Sequence, residues 1–134
     1  MHQTSCRVLE DAYQKFLNGW ATGNWQPFLD LLSDDLIFQY PAGVHRGRHL
    51  APEGKLAMVA WANAHKEAGD RIQITPSLSV FQDNWGIFTA NSVGTYNGEP
   101  YDGNEAYFLR VQGNQIVEYR EYMGDIIGWL SDVN

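Results

Sequence analysis

Thiols are almost missing: Cys6 is the only cysteine in the chain, so no disulfide can close within it and no thiolate metal site can be assembled. Positive charge is scarce as well. Nine Lys and Arg stand against 16 Asp and Glu, a net charge of -7, which repels polyanions and argues against a nucleic-acid role. The one locally basic stretch, HRGRH from His45 to His49, is too short to reverse that. No run approaches the roughly 20 apolar residues of a membrane span, and the start MHQTSCRVLEDAY lacks the charged-then-apolar order of a signal segment. The expectation is a soluble, cytoplasmic protein without membrane contact. His2, His45, His49 and His65 show no metal-ligand spacing, and there is no Gly-rich phosphate loop, so no cofactor or metal is expected.

Aromatic side chains, by contrast, are plentiful. Five Trp, seven Tyr and six Phe suit a thick core or a pocket for flat, greasy ligands. Hydrophobic residues make up 44% and charged residues 19% of 134 positions, enough to fill the core of one domain spanning 1–134.

Apolar residues Val8, Leu9, Ala12, Tyr13, Phe16, Leu17 and Trp20 recur at helical spacing behind a possible cap at Thr4 or Ser5, and Gly23-Asn24 ends that helix. A short second helix is predicted over 25–32 with Pro27 in its first turn, then a turn at Ser33-Asp34-Asp35 and a strand over 36–40 stopped by Pro41. The stretch 42–47 reads as a loop. A third helix is predicted over 50–67, with Leu56, Val59, Ala60 and Trp61 as its buried stripe and Gly69-Asp70 closing it. His65 falls near its end, where a partly charged imidazole favours the helix dipole.

From Arg71 onward the period changes to alternation, with strands predicted near 71–82, 86–97, 101–112 and 115–124. They are separated by Asp83-Asn84, Asn97-Gly98 and Gly113-Asn114, and Asn-Gly supplies the two positive φ angles of a type I′ hairpin turn. Pro76 marks a bulge or an edge position, and Asp102 reads as a turn residue in PYDGN. Helices first and a meander last is an α+β order, and a long antiparallel sheet of this kind curls around a cavity.

Two segments carry a resemblance. GNWQPFLDLLSDDLIFQYPAG followed by Gly47-Arg48 resembles the N-terminal half of the NTF2-like superfamily, and YFLRVQGNQIVEYREYMGD is similar to the last hairpin of SnoaL-like polyketide cyclases, ketosteroid-isomerase-like proteins and the phenazine biosynthesis A/B proteins. The resemblance covers about residues 5–125. It implies a cone-shaped α+β roll (NTF2-like or cystatin-like), three N-terminal helices on a curved, mainly antiparallel sheet. It also implies a ligand pocket at the open end and a homodimer formed through the outer sheet face.

In IVEYREYMG the residues Val117, Tyr119, Glu121 and Met123 share one strand face, and Glu118, Arg120 and Tyr122 share the other. The first face is apolar apart from Glu121, which assigns it inward. A carboxyl among Tyr and Met loses hydration, so its pKa rises and it can hold and return a proton near neutral pH. The resemblance adds that the Glu of a matching R-E-[FY]-M segment is a proton donor in phenazine A/B-type proteins. The alternative is that Glu121 faces water or pairs with Arg120.

Ketosteroid isomerases offer a contrast. Their three catalytic positions correspond to Tyr40, Phe16 and Tyr107, all changed, so their steroid mechanism is not supported. The helix-three His of the phenazine A/B proteins is likewise missing from KLAMVAW. Tyr40, Tyr107 and Tyr119 remain candidates to orient a ligand by hydrogen bonds and stacking. Phe16, Trp61, Phe88, Ser92 and Met123 complete the expected lining. Glu105 shares a face with Tyr107. It is either a pocket partner that divides acid and base roles with Glu121 or, as its place near the strand end favours, a residue of the mouth or of solvent. His45 and His49 lie in or beside the loop at the expected rim, and no Ser-His-Asp arrangement is readable around Ser92.

The expected function is binding of a small hydrophobic or aromatic molecule, with cofactor-free isomerase, cyclase or lyase chemistry at Glu121. The alternative is a non-catalytic binding or dimerisation module of the same fold. An epoxide-hydrolase reading needs an Asp-Arg-Asp set inside the cone, whereas Arg110 and Arg120 fall on the outward face.

Overall fold

The computed structural model describes residues 2–126. The remaining termini of the 1–134 domain expectation, Trp129 included, lie outside the described residues. Helix α1 spans His2–Thr22 and α2 Gln26–Leu29. Strand β1 spans Leu32–Tyr40, a 3₁₀ turn Gly43–His45, strand β2 Gly47–His49 and helix α3 Glu53–Ala68. Four long strands follow: β3 Arg71–Gln82, β4 Trp85–Tyr96, β5 Glu99–Gln112 and β6 Gln115–Ile126. They form one six-stranded sheet in the order β2-β1-β6-β5-β4-β3, antiparallel except where β1 runs parallel to β6.

The helices lie on the concave face. Helix α1 presents Leu9, Ala12, Tyr13, Phe16 and Trp20, all buried, and these meet Phe88, Tyr107, Leu109 and Tyr119 of the sheet. Phe16 sits at the centre, with ring centroids of Trp25, Phe28, Tyr107 and Tyr119 within 6 Å. Such pairs add about 0.5–1.5 kcal/mol each beyond area burial, so this aromatic knot fixes how helices and sheet are set against each other.

The sheet bends at irregularities. Register shifts occur between Pro76 and Leu78 on the edge strand β3, between Leu32 and Ile37 on β1, and at two places along the β5–β6 pairing. Pro76 is thus both on an edge strand and at a bulge, where its missing N–H is tolerated. Asn97 and Gly98 both adopt positive φ, as the hairpin reading requires.

Several expectations are corrected. Thr4 and Ser5 lie inside α1 rather than capping it, and the second helix is a single turn because Leu32 already pairs with Ile116 of β6. Ser33-Asp34-Asp35 lies in the irregular first half of β1, not in a turn before it. The loop over 42–47 contains a 3₁₀ turn and leads into β2, which is too short to read from alternation. Helix α3 starts at Glu53, and its buried face is Gly54, Met58, Trp61, Ala62 and His65. Leu56 is 69% exposed and Ala60 is exposed, because the helix is rotated so that Gly54 packs backbone-close on Leu36 and His49. Asp102 is in β5, opposite Val93, not in a turn. No described helix is long and apolar enough to cross a membrane.

Candidate active site

The site is built on the concave faces of β5 and β6. Their register sets Tyr107 opposite Glu121 and Glu105 opposite Met123, so the two carboxyls lie diagonally on one face. One bulge makes this possible. Val111 pairs with Ile116 and Arg110 with Glu118, which leaves Val117 as the extra residue. Ile116 therefore joins the core cluster while Val117, also buried, stands outside it, and alternation resumes so that Tyr119, Glu121 and Met123 point inward.

Glu121 is 4% exposed. The Tyr119 hydroxyl donates to Oε1, and among the described residues no Lys, Arg or His pairs with it. Burial first, and then the nearby Glu105 carboxylate, push its pKa up to about 8, against the opposing effect of the Tyr119 hydrogen bond. The group therefore carries a proton at neutral pH in a water-poor place.

Glu105, 5% exposed, sits differently. Ser92 and Tyr107 donate to Oε1, the latter at 3.2 Å, and Tyr101 donates to Oε2 at 2.5 Å. Burial comes first in raising the pKa of Tyr40, Tyr101, Tyr107 and Tyr119 above the usual phenol value, with the carboxylates adding to it. All four remain neutral hydrogen-bond donors.

These groups surround a narrow cavity lined by Trp20, Tyr40, Ile72, Ile74, Ser92, Tyr96, Tyr101, Glu105, Tyr107, Glu121 and Met123. The non-atom space between these walls, mouth included, is about 300 Å³. The walls leave room inside for roughly one water.

Of the residues singled out from sequence, Tyr40, Ser92, Glu105, Tyr107, Glu121 and Met123 line this cavity. Tyr119 stands fully buried behind Glu121 as its hydroxyl partner. Phe16, Trp61 and Phe88 do not reach the cavity; they are core, because α1 closes over the narrow end of the cone and fills it with rings. Glu105 is not at a solvent-exposed strand end: β5 starts at Glu99, so Glu105 is well inside it. Sequence reasoning missed Trp20, Ile72, Ile74, Tyr96 and Tyr101. The alternation Ile72, Ile74 was a readable signal, and so was Tyr101, which stands four residues before Glu105 on the same strand face.

His45, His49 and His65 are not among the lining residues, although His65 packs on Trp20 and Tyr96, which are. His49 Nε2 meets the His45 carbonyl at 2.7 Å and stacks on Phe38. His65 is buried, which works against the partly charged imidazole expected at that helix end. Its Nδ1 meets Asp70 Oδ2 at 2.7 Å, and burial, opposed by Asp70, lowers its pKa. Arg110 and Arg120 both pair with Glu118 on the convex face, so among the described residues the Asp-Arg-Asp arrangement has no counterpart inside the cone. No group of three His, Cys, Asp or Glu among the described residues could hold a metal ion.

A family model of the SnoaL-like domain matches residues 13–119. An NTF2-like protein from Anabaena variabilis is 30% identical, with 91% of this chain and 90% of that one covered at a TM-score of 0.83. A putative polyketide cyclase from Sinorhizobium meliloti is 15% identical over 86% of this chain and 98% of that one, TM-score 0.63. TerC, co-crystallised with polyporic acid, is 12% identical over 96% of each chain, TM-score 0.68. The last two likenesses concern the fold alone. No curated protein sequence matches this chain.

Proposed function

The chain belongs to the SnoaL-like domain family, and from that premise we propose that it binds a small, largely apolar or aromatic molecule in the cone and moves a proton on it without a cofactor. The observation that carries this is the protonated, buried Glu121 facing a cavity whose lining residues offer hydroxyls and a second carboxyl but no cation. Glu121 gives its proton to a ligand oxygen or carbon. Tyr40 and Tyr107 donate hydrogen bonds that hold the ligand oxygen, and Glu105, fixed by Ser92 and Tyr107, takes a hydrogen bond or a proton from the far side. Isomerisation, cyclisation and dehydration of an enolisable carbonyl compound all use this pair. A fold neighbour co-crystallised with polyporic acid supports a small organic occupant.

A second copy of the chain is proposed to cover the convex sheet face, where Leu78, Val80 and Tyr122 are exposed. The narrowness of the cavity favours a second reading, a non-catalytic binding module. Native mass spectrometry of the purified protein reports a retained ligand and the dimer together. With the ligand identified, Glu121→Gln should bind it and fail to turn it over. Undiminished turnover would remove Glu121 from the mechanism, and absence of turnover in the parent protein would favour the module.

A further inference from the structure

The cavity is narrow for a specific reason, which lies on one face of β5. Tyr101, Gly103, Glu105 and Tyr107 alternate inward along that strand. The Tyr101 ring folds back along its own strand over Gly103 to place its hydroxyl on Glu105 Oε2 at 2.5 Å. A side chain at 103 would crowd this path. A Cβ at position 103 would stand 2.9 Å from the Tyr101 hydroxyl oxygen and 3.2 Å from Cζ. The first distance is closer than real Cβ contacts come, so the phenol would have to shift.

Among the side chains that line the cavity, Trp20, Tyr40, Ile72, Ile74, Ser92, Glu105, Tyr107 and Glu121 are buried, whereas Tyr96, Tyr101 and Met123 are partly exposed. An incoming molecule has to displace something, and the exposed rim is where a side chain can leave without breaking the core. Of these three, Tyr101 alone holds a hydrogen bond to one of the two carboxyls. Glu105 Oε1 is already taken by Ser92 and Tyr107, so a departing Tyr101 frees the other oxygen, Oε2.

We propose that Tyr101 is a built-in plug and selectivity element: its phenol occupies the ligand's place on Glu105. A ligand enters by displacing it with a ring that carries a hydroxyl of its own. The replacement must be a donor, because a displaced hydroxyl otherwise leaves a buried carboxylate oxygen unpaired. It must also not be an anion, because two carboxyls and no Lys, Arg or His line the cavity. The plug accounts for the closed cavity without a loss of binding function. It rests on the reading of this cavity as the ligand site.

The test uses p-cresol, which matches the Tyr side chain, and 4-methylanisole, which has the same ring but no donor, each titrated calorimetrically into the purified protein. Tyr101→Ala should bind p-cresol about tenfold or more tightly than the parent, the scale of one hydrogen bond to a charged group, with a clearly smaller gain for 4-methylanisole. A folded Tyr101→Ala that gains nothing, or gains equally for both probes, overturns the proposal. Should that variant fail to fold, Tyr101→Phe releases the hydrogen bond while keeping the ring, and Gly103→Ala, whose Cβ crowds the space beside Glu105 Oε2 that either phenol must occupy, serves as the blocking control. Tyr101→Phe should raise p-cresol affinity severalfold, and unchanged affinity overturns the plug. Binding is scored without turnover, so this failure leaves the Glu121 proposal standing. Unaltered turnover in Glu121→Gln would sink that proposal and leave the plug intact.

Discussion

Glu118 and Glu121 stand three residues apart on β6 and are 3% and 4% exposed, yet they face opposite sides of the sheet and opposite electrostatic surroundings. Three is an odd step, and the strand period of two sends them to different faces. On the convex side Glu118 receives Arg110 Nη2 at 2.9 Å and Arg120 Nε at 2.5 Å, with Arg48 at 3.4 Å. Two of those guanidiniums lie over the Trp85 ring. Burial pushes the Glu118 pKa up, but the arginine hydrogen bonds outweigh it and the result is a lowered value. On the concave side Glu121 has one phenol and no cation, burial prevails, and the pKa rises to about 8. At similar exposure the two carboxyls are driven in opposite directions, because Glu121 is deeply desolvated without a cation and Glu118 sits among arginines. The convex side holds a structural ion cluster, and the concave side stores a proton.

The sharpest way to break the comparison is Glu121→Gln, which keeps the shape and removes the transferable proton. Turnover of the identified ligand should fall roughly 10²- to 10⁴-fold, the usual contribution of a positioned acid, with affinity largely kept. Glu118→Gln, compared per folded molecule, should leave turnover nearly untouched. Equal losses in both would mean that the two faces do not differ in function.

Stability should then separate the two sites by pH. Glu121 has a raised folded pKa, so its contribution is full below the ordinary carboxylate value and is lost as pH rises through about 8. Glu121→Gln mimics the protonated state and should gain on the parent across that interval, by up to a few kcal/mol at the alkaline end. Glu118 has a depressed folded pKa, so its contribution is present above the ordinary value and is lost as pH falls through the folded one. Near neutral pH Glu118→Gln should cost about 2 kcal/mol, less than a fully buried pair because its arginines are partly exposed. Urea unfolding of both variants between pH 4 and 9 measures it, and parallel pH curves would contradict the contrast.

The contrast was partly legible in the sequence. Alternation in IVEYREYMG put Glu121 and Tyr119 on one face and Glu118 and Arg120 on the other, and the helices-then-meander order gave the roll. What alternation does not carry is the bulge at Val117, because one extra residue is invisible until the partner strand is known. The buried stripe of α3 was misread for a related reason. Leu56 looks like core, but the position of a helix around its own axis was set by Gly54, whose lack of a side chain lets the backbone touch β1. Phe16, Trp61 and Phe88 were assigned to the pocket because nothing in a list of aromatics says where a cone narrows. Alternation places Tyr101 on the face of Glu105, but the reach of its hydroxyl to that carboxyl depends on the space above Gly103, which is a three-dimensional fact.

Importing the convex chemistry to the concave side sharpens the comparison next. Met123 lies opposite Glu105 and lines the cavity, so Met123→Lys brings a cation to the carboxyls. An opposite charge within about 4–6 Å lowers a carboxyl pKa by about one to three. The alkaline limb of turnover, which needs a protonated Glu121, should move down in pH accordingly. A limb that stays near pH 8 would show that it does not report Glu121.

The smallest change removes the one side-chain hydrogen-bond partner that Glu121 has among the described residues. The Tyr119 hydroxyl donates to Glu121 and is the only influence that lowers its pKa, working against burial and the Glu105 carboxylate. Tyr119→Phe deletes that donor and leaves the ring in place among Phe16, Phe38 and Trp61. The Glu121 midpoint should therefore rise above about 8, by about one pH unit, as befits the loss of one hydrogen bond to a charged acceptor. Infrared titration of the protonated carboxyl in Tyr119→Phe, with Glu121→Gln as the blank, reads it directly. The direction is what counts: a hydroxyl acting mainly as an acceptor from protonated Glu121 would stabilise the acid form, and its loss would move the midpoint down. An upward move means that Tyr119 holds the carboxylate left after the proton has gone, which is the assistance a proton donor needs to recover between turnovers.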